Sequence, residues 1–594
     1  MRMRMPMLIG AALLAASPAA AAPAGDFKRL MDDYYAWLLR ENPTYATALG
    51  VRDYDDRIED LSLAARDRQA VEAKAFLDRL GRIPGEALSP SERVNRGVLK
   101  RLLEEGIESN GFRQRLMLFT TYSGWHQNFA GLADNLPLRT KADYESYLTR
   151  IAQYPKQNDA ALDITRQAVA GGFVLPCSVL GNYEKGIRGV MVDDPAKSRF
   201  YEPFTRPRPG DVSEAEWARM QARARQLVTE VLDPAYAKHL DFYRTTYAPK
   251  CAKSDSISAQ PGGRDYYAFR VRQETTTDLT ADQIHEIGLK ESARIRAEME
   301  TVAKSAGFAG REAFIRDLRT NPKHFATTPA QLMQVSALTA KTIDGKMPGY
   351  FATLPRLPYG VRPIPAETAE GTTTAYYGQG SLASGLAGTY YVNTSKLDQR
   401  PLWEVPALTL HEAVPGHHHQ ISLQQEVDAP SFRRHFAFFT AFTEGWGLYA
   451  ESLGEEMGLY DTPEKKMGQL SYQAWRAARL VVDTGIHHKG WDKARAVGFM
   501  RDNTALTDAN IDAEVNRYIS WPGQALGYKI GELRIRALRA RAQSELGAKF
   551  DLRRFHDAVL LQGSVPLDVL EAQVGEWVLR EAGSTGSPAP QDER

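Results

Sequence analysis

Residues 411–420 read HEAVPGHHHQ, and residues 442–451 read FTEGWGLYAE. The first stretch packs imidazoles and a carboxylate into one short piece of chain. The second sets Glu444 in an otherwise apolar run. Together they supply two His and one Glu able to hold a metal ion, and a further Glu able to act as a base. The familiar zinc-hydrolase spacing is H-E-x-x-H on one helix, and here Pro415 stands where the second His belongs. On a regular helix His411 and His417 are about 9 Å apart in rise and on different faces, and His418 returns to the first face only about 10.5 Å away. Zinc–nitrogen bonds of about 2.0–2.1 Å cannot bridge either pair across an unbroken helix.

The same segment contains a remedy. Pro415 cannot donate to the carbonyl of His411, and its ring clashes there. Gly416 permits the backbone conformations of a widened turn, and helix bulges tend to mark functional sites. The spacing therefore predicts a helix broken or bulged between Glu412 and His417, with His411 and His417 as ligands. His418 and His419 are then supporting or surface groups. Glu412 stays off the metal and takes a proton from a zinc-activated water as general base. Glu444 is expected as the third ligand, because an unpaired carboxylate in that run would be costly to bury. Glu451 lies about 10 Å further along the same helix, so both cannot reach one ion. Gly445 and Gly447 flank Trp446 and would let this helix approach the motif closely. Three protein ligands leave the open position that a catalytic site needs.

Away from the motif the chain of 594 residues reads mainly α. Residues 26–41, 62–83, 89–108, 213–247 and 280–307 carry apolar residues at three- and four-residue steps. Ser89, Ser213 and Thr280 stand as caps before their helices. Strand signals are few: residues 263–277 (GRDYYAFRVRQETTT) read as one strand, and 375–395 as one or two more among Gly- and Ser-rich loops. The Pro-rich stretch 354–371 is the best boundary, dividing two lobes of one helical body. Residues 23–580 are expected to form that single domain, with 581–594 a disordered tail.

Composition bounds the partners. With 43% hydrophobic and 25% charged residues and a net charge of +1, nothing points to nucleic acid or an anionic membrane. MRMRMP, then MLIGAALLAA and small residues to about Ala24, form a basic, apolar and cleavable series. Residues 1–22 are expected to be a secretory signal, too short in its apolar part to span a bilayer comfortably. The expected location is periplasmic or secreted, with no membrane insertion after cleavage. Cys177 and Cys251 are the two cysteines. In an oxidising compartment they either pair or remain two buried thiols, and spacing does not decide.

H-E-x-x-P-G-H-H-x-Q followed by E-G-W-x-x-Y-x-E is similar to the bacterial domain of unknown function 885 family, which is grouped with the gluzincin metallopeptidases. The similarity runs over roughly residues 30–580 and includes residues 261–289, 388–395, 517–534 and 555–574. TEGWGLYAE also resembles the N-E-G-F-A pattern of gluzincin aminopeptidases, in which the Glu binds zinc; that favours Glu444 over Glu451. The resemblance implies a large two-lobed helical metallopeptidase-like body with a deep cleft, like oligopeptidases and angiotensin-converting enzyme, and a small β element beside the cleft. It also implies that the strand before the metal helix, Gly388–Asn393, is an edge that pairs with an extended substrate; an ordinary wall strand is the alternative.

A donor beyond the metal should face the oxyanion of a tetrahedral intermediate. Tyr528 is the first choice, since helical zinc peptidases commonly use a Tyr in the C-terminal part. Tyr518, Lys529 and His487 are the others, and His487 lies four residues after Asp483 on the same helix face. Each such group is more often packed in a core than catalytic. The expectation is a zinc peptidase of short peptides: zinc on His411, His417 and Glu444, base Glu412, and Tyr528 or His487 in support. The alternatives are zinc hydrolysis of a non-peptide or cell-wall-derived amide or ester, and a non-catalytic binding protein of the same fold. Oligomeric state is not legible.

Overall fold

Cap chemistry opens the long helices at the expected places. The Ser89 hydroxyl accepts the Glu92 N–H and the Glu92 carboxylate accepts the Ser89 N–H, closing a capping box on the helix Pro90–Gly111. Ser213 with Glu216, and Thr280 with Gln283, do the same for Glu214–Leu227 and Ala281–Ser305. The computed structural model describes residues 21–121, 123–370 and 372–583. Residues 1–20 of the expected leader and 584–594 of the expected tail lie outside the described residues. The fold is mainly α with one small sheet. No helix among the described residues is long and apolar enough to cross a membrane.

Residues 263–277 correct the sequence expectation: Gly263–Thr275 is a helix, not a strand. Its aromatic and β-branched residues favour a strand locally, but Gly263, Tyr267, Val271, Glu274 and Thr275 are buried at helical spacing. The Tyr267 hydroxyl donates to Asp483 Oδ1 at 2.6 Å, and Thr440 donates to Glu274. Burial of one helical stripe against two other helices overrides the local preference.

The sheet has the order β1-β3-β2, with β1 Tyr359–Pro363, β2 Ala375–Gly378 and β3 Gly388–Val392. β3 pairs parallel with β1, from Tyr359↔Gly388 to Pro363↔Val392, and antiparallel with β2, from Ala375↔Val392 to Gly378↔Thr389. The expected substrate edge at Gly388–Asn393 is therefore the central strand, hydrogen-bonded on both sides, and offers no free ladder. The edges are β1 and β2, and β2 lies against the helix Val405–Glu412.

Two large apolar cores fill the body. Val405, Ala407, Leu408 and Ala413 pack into one, and Leu410 and Val414 into the other. The motif helix thus runs along the seam where the cores meet. Cys177 and Cys251 form a disulfide, with Cα atoms 5.1 Å apart and a sequence separation of 74. Closing so long a loop restricts the unfolded chain, so replacing both by Ser is expected to cost about 2–4 kcal/mol. Superimposable urea curves for the oxidised wild type and the double Ser variant would contradict this.

Candidate metal centre

The helix Val405–Glu412 ends at Ala413 (φ −97°, ψ −112°), and a new helix, His417–Glu426, starts after Gly416 (φ −74°, ψ −129°). The Val414–Pro415 peptide is cis. The predicted interruption is present, as a full break rather than a bulge. Trp446 Nε1 donates to the Pro415 carbonyl at 2.8 Å, tying the break to the helix Thr440–Glu456. Gly416 is required by close approach: a Cβ there would lie 1.9 Å from the His411 carbonyl oxygen.

The break brings His417 beside His411, with ring centroids 4.7 Å apart and planes at 85°. Glu444 Oε2 lies 3.4 Å from His411 Nε2 and 3.2 Å from His417 Nε2. One ligand atom from each of the three residues falls within 4.8 Å of the others. Metal–ligand bonds of about 2.1 Å at tetrahedral angles place ligand atoms about 3.4 Å apart, so the observed spacing fits one small cation. The donor set fits as well. Glu444 Oε2 is a buried oxygen with no hydrogen-bond partner among the described residues, and facing lone pairs need a cation or a proton between them. Burial opposes the charge of His411, but the carboxylates of Glu444 and Glu451 facing its two ring nitrogens outweigh burial and raise it to about 9. Burial would likewise raise Glu444, yet His417 and His411 hold it well below the carboxylate range. His411, His417 and Glu444 can hold a metal ion.

Glycine contacts set the helices at this distance. A Cβ on Gly447 would lie 2.7 Å from the His411 ring. Gly445 rests on Gly531 of the helix Leu526–Leu546, where a Cβ on Gly531 would come within 1.8 Å of the Ala441 carbonyl oxygen. That packing also brings Tyr528 to the cluster: its hydroxyl donates to Glu444 Oε1 at 2.8 Å and accepts from Arg517 at 2.9 Å.

The family model described as bacterial protein of unknown function (DUF885) matches residues 43–574. The chain belongs to this family. A crystal structure from Colwellia psychrerythraea, provisionally called a lipoprotein, superposes with a TM-score of 0.85 at 26% identity, covering 95% of this chain and 100% of that one. A solved structure from Shewanella oneidensis, provisionally called a lipoprotein of unknown function, gives 0.64 at 20% identity, covering 92% and 99%. It shares the fold. No curated protein matches the chain.

In this DUF885 chain the remaining candidates separate. Glu412 is 8% exposed, and its carboxylate accepts no hydrogen bond among the described residues. His418 faces Tyr377 and Ser422 through Nδ1, at 3.1 and 3.3 Å. His419 is wholly buried against Phe351. His487 does not join the cluster. Its Nδ1 accepts from the Ile257 N–H at 3.1 Å and its Nε2 faces the Tyr518 carbonyl at 2.9 Å, so both ring nitrogens serve backbone. Asp483, four residues before it on the same helix, accepts from Tyr267 and the Gly523 N–H instead. Tyr518 donates to Glu514 at 2.7 Å, and Lys529 is buried on Gln473, Glu532 and Glu291. Glu451, a functional candidate that the spacing alone does not reveal, lies behind His411 with Oε1 2.9 Å from Nδ1. Its spacing seven residues after Glu444 removed it as a ligand of the same ion; that the imidazole has a second nitrogen was the available signal.

Proposed function

We propose that the protein is a zinc-dependent hydrolase of the gluzincin type that cleaves short peptides outside the cytoplasm. The observation that carries this reading is the meeting of His411 Nε2, His417 Nε2 and Glu444 Oε2 beside Glu412, whose carboxylate accepts no hydrogen bond among the described residues. A bound zinc ion would supply Lewis acidity, polarising a scissile carbonyl and acidifying water. Glu412 takes the proton of the attacking water and returns it to the leaving amine. A metal held only for structure would need no base at that position. Tyr528 steadies Glu444 through its hydroxyl and reaches a developing oxyanion only by exchanging that bond. An extended substrate pairs with the outer edge of β2, the edge strand beside the metal helix. The basic and apolar N-terminal stretch, together with the Cys177–Cys251 disulfide, supports an oxidising, extracytoplasmic setting.

The test is metal analysis of the purified protein followed by digestion of a short-peptide library. About one zinc per chain and discrete cleavage products are expected. Zinc binding without peptide cleavage would move the reading to another amide or ester. Failure to retain any divalent ion after reconstitution would sink it.

A further inference from the structure

Behind the metal-facing ring of His411 lies a buried ion pair with no assigned role. Glu451 is wholly buried, and its Oε1 lies 2.9 Å from His411 Nδ1 and 3.0 Å from Arg476 Nη2. Arg476 projects from the helix Pro463–His487, in which every residue from Met467 to His487 is buried. Its Cζ sits 4.1 Å from the Trp475 ring centroid and 4.7 Å from that of Tyr472.

We propose that Arg476 is a positioning residue of the metal centre: through Glu451 it fixes His411 with Nδ1–H turned inward and the Nε2 lone pair turned toward Glu444. This inference rests on the metal reading above. Three observations support it. One carboxylate oxygen serves both the imidazole and the guanidinium, so the cation holds in place the oxygen that orients the ring. The other oxygen, Oε2, has no hydrogen-bond partner among the described residues, so without Arg476 little would stop the carboxylate from turning. Arg476 also leaves Nε and Nη1 buried without hydrogen-bond partners among the described residues. Unpaired buried donors are destabilising, and replacing a buried ion pair as a whole by apolar side chains of similar volume is often neutral or better. Stability alone therefore does not account for a guanidinium here. Its engagement with Glu451, which leads directly to a metal-binding nitrogen, does.

Zinc affinity, measured by chelator competition on the full chain, tests this. Wild type is compared with Arg476→Met, Arg476→Lys, Glu451→Gln and the Glu451→Gln/Arg476→Met pair, and melting of the metal-stripped proteins is followed in parallel. Arg476→Met should weaken zinc binding on the order of 10–100-fold, with Arg476→Lys recovering part of the loss. In the Glu451→Gln background the same change should cost less than about threefold, because its route to His411 is already altered. Metal-free Arg476→Met should melt below wild type, since Glu451 loses its buried counter-ion, whereas the metal-free Glu451→Gln/Arg476→Met pair should melt no lower than Glu451→Gln. If Arg476→Met does not fold, the Lys variant in the two backgrounds decides by the same comparison. Unchanged zinc affinity in Arg476→Met, or an equal loss with and without Glu451, overturns the proposal while leaving the metal reading intact. Wild type that binds no zinc defeats the metal reading first.

Discussion

Glu412→Gln is expected to keep zinc at the wild-type level and to lose hydrolysis on the order of 10²–10⁴-fold. The substitution preserves shape, so it opens no cavity and should leave the melting temperature unchanged. What it removes is the ability to accept a proton. The neighbouring acids are already committed. Glu444 accepts from Tyr528 and faces both histidines, Glu451 holds His411 and Arg476, and Glu514 is 2.7 Å from Arg479. None can take over, so the loss corresponds to about 3–5 kcal/mol of barrier at 1.36 kcal/mol per tenfold. Single-turnover hydrolysis with parallel metal analysis reads both quantities. Full activity with zinc retained removes Glu412 as the base. Loss of zinc would instead make it a ligand, contrary to the three-residue cluster.

The metal residues were legible because each carried a local contradiction that one hypothesis resolves. Pro415 and Gly416 interrupt a helix that otherwise had reason to continue, and Glu444 is a carboxylate in a run that wants no charge. Residues 263–277 suggest a strand because their aromatic and β-branched content masks a helical stripe at 263, 267, 271 and 274–275, whose partners at Asp483 and Thr440 lie far away in sequence. The position of β3 was illegible for a related reason. A strand is central or edge according to its neighbours, and β1 comes from the Pro-rich stretch at 354–371 that reads as a boundary. Glu451, Arg476 and Gly531 act across helix contacts, and no spacing within one segment reports on them. The resemblance to a family supplied the general body but could not say which way His487 turns its ring.

His417→Ala and His418→Ala should separate completely, although the two residues are adjacent. His417 Nε2 lies 3.2 Å from Glu444 Oε2 and its Nδ1 has no partner among the described residues, so its ring is committed on the metal side alone. Removing it leaves His411 and Glu444, and two ligands hold a catalytic ion poorly. The loss in zinc affinity should exceed the roughly 10–100-fold typical of an outer partner, and activity should vanish with it. His418 turns the other way. Its ring lies 4.6 Å from that of Tyr359, and its Nδ1 faces Tyr377 and Ser422, so it fastens the broken segment to the sheet. Its loss should lower stability on the order of 1–3 kcal/mol, from lost packing and an unpaired polar group, with zinc binding retained. Two residues forward of a cis proline, one imidazole serves the ion and the next serves the fold. A measurement in which His418→Ala strips the zinc and His417→Ala does not would reverse that assignment and the geometry of the centre with it.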